Sequence, residues 1–74
     1  MEHTLDVRGL ACPMPIVRTK KAIDQIAVGD ELVVTATDPG SVPDFKAWTQ
    51  RTGHTLVSAE EANGEYRFRI QKQG

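Results

Sequence analysis

One side chain here could attack as a sulfur nucleophile or carry a transferable group through sulfur. It is Cys12, the only cysteine among 74 residues. It lies in Gly9-Leu10-Ala11-Cys12-Pro13-Met14-Pro15-Ile16-Val17, with one proline directly after it and another two residues further on. A free cysteine that merely fills space usually sits within an apolar run of a helix or strand. Cys12 instead sits in a Gly- and Pro-interrupted segment just before a helical pattern. Proline is well tolerated in the first helical turn, so Pro13 at the first helical position makes Cys12 the N-cap. The unpaired N–H groups of that turn, and the positive end of the helix dipole, then favour thiolate over thiol. Pro13 and Pro15 carry no N–H, which leaves Met14 as the main backbone donor near the sulfur, with Ile16 behind it.

A nucleophile of the protease type also needs a base. His3 and His54 are the two histidines, and each stands at the start of a strand pattern. Cys12 lies just past the end of the first strand. Loops at opposite ends of a sheet do not meet, so a Cys–His dyad is not expected. A thiol without a built-in base fits a carrier better than a hydrolase.

The elements that must place this thiol can be read along the chain. His3 to Val7 alternates polar and apolar residues, as a half-buried strand does. Ile16, Thr19, Ile23 and Ile26 recur at helical spacing from Pro13 onward, and Gly29 is the expected stop. Glu31 to Thr37 is rich in β-branched residues and reads as a more central strand. For the second helix, Ser41 as N-cap puts Pro43 at the second helical position and Asp44 at the third, a capping-box arrangement. Val42, Phe45 and Thr49 share a face beside a partly exposed Trp48, and Gly53 ends the helix. His54 to Glu60 reads as a strand whose inward face is ambiguous at Leu56-Val57. Asn63-Gly64 signals a hairpin turn into a strand where Tyr66, Phe68 and Ile70 alternate with Arg67, Arg69 and Gln71. The order β-α-β-α-β-β predicts a two-layer α/β (α+β) sandwich, a four-stranded mixed sheet with two helices on one face. Two helical connections predict parallel pairing of the first three strands, with right-handed crossovers. Cys12 and the Asp38–Ser41 loop then share the carboxyl edge of the sheet, where ligands gather in such folds.

Length and charge bound the function. The chain is expected to form a single domain, 1–74, with one small core. Its net charge of −1 argues against nucleic-acid binding through a broad basic surface. One cysteine permits no internal disulfide and suits a reducing compartment, and no zinc-ligand cluster is visible. With no apolar signal region and no transmembrane-length run, a cytoplasmic location away from membranes is expected.

Taken together, these motifs resemble the TusA family, also called SirA-like or YedF-like. The resemblance rests on LDVRGLACPMPIVRTKKAI with its CPxP motif, on VGDELVV, on TDP with the following PDF, and on GEYRFRI. It implies the same β-α-β-α-β-β sandwich. It also implies that Cys12 carries a persulfide, taken from a cysteine desulfurase or rhodanese and handed to an acceptor protein's cysteine. No metal or organic cofactor is implied. Pro13 and Pro15 match the motif prolines, Lys20 and Lys21 a basic pair on the first helix, and Asp38 and Asp44 acidic positions at the second. The chain departs from tRNA-thiolation members at Gly40-Ser41-Val42-Pro43, which leaves the acceptor open.

Supporting residues keep two readings each. Arg8, Lys20 and Lys21 steady a persulfide anion or dock an acidic partner, or else form a solvated face. Asp38 and Asp44 contact a partner, or serve as turn and capping residues. Gly9 makes a turn, or lets a partner's cysteine approach. The rival to sulfur relay is a non-catalytic regulatory interaction module in which Cys12 is incidental or senses oxidation.

Overall fold

The structure, a computed structural model, describes residues 1–11 and 13–73. Its elements are β1 (Glu2–Val7), α1 (Met14–Ile23), β2 (Glu31–Ala36), α2 (Ser41–Thr52), β3 (Thr55–Ala62) and β4 (Glu65–Gln71). The strands form one mixed sheet, with both helices packed on one face, as the alternation of apolar residues requires. Strand order corrects one expectation. β1 and β2 pair in parallel, but β4 enters antiparallel between β2 and β3, giving β1-β2-β4-β3. The first three strands run the same way without all pairing. Fully buried Phe68 and Ile70 need neighbours on both sides, so β4 takes a central place. β3, with Glu60 and Glu61 exposed, tolerates the edge.

The core is built from alternate strand residues, Leu32, Val34, Ala36, Phe68 and Ile70 among them, closed by Ile23, Phe45 and Trp48 from the helices. Phe45 stacks on Phe68 with ring centroids 4.4 Å apart, and Trp48 meets Phe45 edge-on at 6.4 Å. Trp48 is buried, deeper than its place beside the apolar face suggests. The opposite sheet face is ionic, with the Arg69 guanidinium bridging Glu2 and Glu31 at 2.6 and 2.5 Å.

Local chemistry sets the boundaries. α1 stops at Ile23, short of Gly29, because Gln25 and Ile26 donate to carbonyls only three residues back and tighten the chain into a turn. Ile26 still packs on the core from that turn, so its helical spacing misleads about helix length. A bulge between Leu56 and Ser58 settles the ambiguous strand face, leaving Leu56 against the core and Val57 exposed. Asn63 and Gly64 both have positive φ, 55° and 79°, as the hairpin turn demands.

The start of α2 is also corrected. Gly40, at φ −66° and ψ −15°, is the N-cap, and Ser41 is already helical. Pro43 therefore sits at the third helical position, where its missing N–H costs nothing. Gly40 as N-cap makes no side-chain cap bond. The Ser41 hydroxyl donates backward to the Asp38 carbonyl at 2.6 Å, while the Asp38 carboxylate accepts the Gly40 N–H at 3.1 Å. Asp38 thus winds the entry turn. Replacing it, Asp38→Ala, is expected to cost about 1 kcal/mol, a fall in Tm of about 4–8 °C for a domain of this size. A thermal melt by circular dichroism checks this, and an unchanged Tm would show that the turn holds without the carboxylate.

Candidate functional site

Parallel pairing sets Val7 opposite Ala36, so the loops after β1 and β2 leave from one sheet edge. The first loop is folded tightly. Gly9 takes φ +81°, which a side-chain-bearing residue adopts only with strain. Leu10 N–H donates to the Val7 carbonyl at 3.3 Å, and Met14 N–H donates to the Ala11 carbonyl at 2.9 Å. Cys12 itself lies outside the described residues, but the turn from Ala11 to Met14 brackets it. The loop is tied to its neighbour where Gly9 N–H donates to Thr37 Oγ1 at 2.9 Å.

This geometry shifts the helix start by one residue. Pro13, at φ −94° and ψ 9°, is the N-cap of α1, and Pro15 lies at the second helical position. The reason is the Ala11–Met14 turn, which closes before the first helical bond, from Val17 N–H to the Pro13 carbonyl at 3.1 Å. The Met14 N–H expected to face the sulfur is therefore engaged by Ala11. Pro15 is fully buried, and its carbonyl accepts the Thr19 hydroxyl at 2.7 Å, fixing the turn to the core.

Beside this turn, Pro13 and Ile16 face Asp44, Ala47, Trp48 and Arg51 of α2 across a depression of about 310 Å³. Gly9, Pro13 and Pro15 belong to the segment that carries Cys12, Asp44 faces Pro13 across the depression, and Asp38 directly follows Thr37, the partner of Gly9. The basic candidates are placed differently. Lys20 is exposed and pairs with Asp24 at 3.4 Å, one turn along α1, and Lys21 is exposed on the same helix. Arg8 turns to the opposite sheet face, donating from Nε and Nη2 to Asp6 at 3.0 and 2.9 Å and from Nη1 to Glu65 at 3.3 Å. Strand alternation explains this, because residues 6 and 8 share a side. Both histidines are engaged at the far end of the sheet. His3 Nε2 lies 3.0 Å from Asp30, and His54 Nδ1 accepts the Gln73 N–H at 3.0 Å.

The side-chain bonds of Arg8, joined by its backbone N–H, hold the Asp6 carboxyl below the usual carboxylate range. A depressed carboxyl stabilises the fold above its unfolded value of about 4, and that contribution fades as pH falls through the depressed one. In an NMR carboxyl titration, Arg8→Gln is expected to move Asp6 up toward the ordinary range, with the backbone N–H at position 8 still holding it down. An unchanged midpoint would mean that Arg8 does not engage Asp6 in solution.

Comparison with known proteins then decides the family. Residues 3–72 match the family model described as "Sulfurtransferase TusA". The chain belongs to the TusA family. It is 45% identical over 71 residues to "Sulfur carrier protein TusA" of Allochromatium vinosum, covering 96% of this chain and 93% of that one. A chain from Neisseria meningitidis serogroup B is 50% identical over 69 residues, covering 93% of both. The crystal structure of a SirA-like protein from Desulfitobacterium hafniense matches the whole chain with a TM-score of 0.83 at 25% identity. Family membership supports a sulfur-carrier role and with it dealings with donor and acceptor proteins. Among the described residues, no helix is long and apolar enough to cross a membrane.

Within this TusA-family fold, sequence reasoning missed two contributors. Asp6, which claims Arg8, was signalled by its two-residue spacing on one strand. Thr37, which ties the loops together, lies in the TDP stretch, but its bond to Gly9 carries no local signal, since only strand pairing brings the two together.

Proposed function

We propose that this chain is a persulfide-type sulfur carrier whose working atom is the sulfur of Cys12. The Cys12 thiolate attacks the outer sulfur of a donor persulfide. The donor's S–S bond breaks, the donor leaves as a thiolate, and Cys12 holds the persulfide. An acceptor thiolate then attacks that outer sulfur and Cys12 leaves as a thiolate. No net oxidation occurs over the two steps, and no metal or organic cofactor is required. A cysteine desulfurase or a rhodanese suits the donor role, and a cysteine-bearing protein the acceptor role. A cytoplasmic setting suits a thiol that must stay reduced between turnovers.

The observation that carries this reading is the tight turn from Gly9 to Pro15 at the edge shared by two loops, in a chain with named sulfur carriers among its relatives. With both histidines engaged at the far end of the sheet, each partner supplies its own base and its own reactive geometry. Pre-loading the chain with radiolabelled sulfane sulfur and adding a thiol-bearing acceptor protein tests the relay. Label should move to the acceptor and leave the carrier. Retention of label on the carrier under all acceptors would favour a regulatory module.

A further inference from the structure

We infer that the Thr37 hydroxyl is a positioning group for sulfur transfer, fixing the Cys12-bearing turn against the end of β2. The inference rests on the persulfide-carrier reading and gives a role to Thr37, the first residue of the TDP stretch. Pro15 and Leu10 pack the turn on the core, but among the described residues it has few long-range hydrogen bonds. Its Leu10–Val7 and Met14–Ala11 bonds are internal to it, and the link from Arg8 to Glu65 runs through a long exposed side chain. Gly9 N–H to Thr37 Oγ1, at 2.9 Å, instead joins residues 28 apart in sequence. Thr37 follows fully buried Ala36 and precedes Asp38, whose carbonyl and carboxylate wind the entry to α2. One hydroxyl therefore connects a rigid strand end, the turn with the thiol, and the loop that starts the second helix.

Thr37 acts on position more than on stability. Gly9 is exposed, so water can replace the lost acceptor and no buried N–H is orphaned. Position matters because displacement at a sulfur requires attacking and leaving atoms in line, and a misplacement of about 1 Å can cost on the order of 100-fold. A small donor can adjust its approach to a displaced turn. A donor docked on a protein surface cannot.

The test compares Thr37→Val, of similar shape without the acceptor, with Thr37→Ser, which keeps it. Loading by inorganic polysulfide is expected to stay within about 2-fold of wild type in both, while loading by a cysteine desulfurase with cysteine falls about 10-fold or more in Thr37→Val alone. Equal desulfurase rates in wild type and Thr37→Val, or an equal fall in Thr37→Ser, would overturn the role. Amide exchange of Gly9 in the wild-type chain gives a check that needs no variant. A protected Gly9 amide is expected, and exchange at the unprotected rate overturns the tie itself. Wild-type chain that accepts sulfur from neither donor would overturn the carrier reading beneath it, an outcome distinct from a normally loading wild type beside an unaffected Thr37→Val.

Discussion

Cys12→Ser takes up no sulfur under conditions that load the wild-type chain, yet unfolds at nearly the same urea concentration. The loss of loading is complete because no second thiol exists in the chain. Stability is preserved because the turn around residue 12 is held by other groups. Ala11 and Met14 close it, Gly9 is tied to Thr37, and Pro15 anchors it in the core. The expected change in unfolding free energy is within about 0.5 kcal/mol, the range of substitutions away from packed features. Paired urea midpoints and intact masses check both halves. A large stability loss would make Cys12 a packing residue and weaken the carrier assignment.

Phe45→Ala has the largest effect expected on the fold. Phe45 is fully buried, stacked on Phe68 at 4.4 Å and met edge-on by Trp48. Truncating such a ring costs about 3–5 kcal/mol, against a total stability of about 5–15 kcal/mol for a domain. A chain this short lies toward the weaker end. The variant should keep only about 0–2 kcal/mol of stability, its unfolding equilibrium raised on the order of 100-fold or more, with α2 loosened from the sheet. Urea denaturation followed by tryptophan fluorescence measures this, since Trp48 reports the same cluster. A loss below about 1 kcal/mol would mean that the core closes over the cavity, contrary to the packing seen here.

What could be read in advance follows physical range. Alternation in β1 and β4, the helical spacing of Phe45 and Thr49, and Asn63-Gly64 are local patterns, and each appears where expected. Strand order is not local. β4 comes last in the chain yet lies between β2 and β3, because Phe68 and Ile70 need cover on both sides. The ends of the helices misled for a related reason. Ile26 keeps helical spacing after the helix has stopped, and Ser41 with Asp44 has the composition of a capping box although the φ of Gly40 starts the helix one residue earlier. At the candidate site, the shared edge of the two loops followed from the parallel connection. Nearness in sequence to Cys12 suggested Arg8, but the strand carries its guanidinium to Asp6 and Glu65 on the other side of the sheet. Thr37 required the register itself.

The central claim, that Cys12 holds a transferable sulfur, is tested most directly by the intact mass of the chain after incubation with a cysteine desulfurase and cysteine. The account predicts a gain of about 32 Da that dithiothreitol removes, since a persulfide is opened by thiols. Over-oxidation to a sulfinate adds nearly the same mass, but thiols do not reverse it. No gain, or a gain that survives dithiothreitol, would contradict the account.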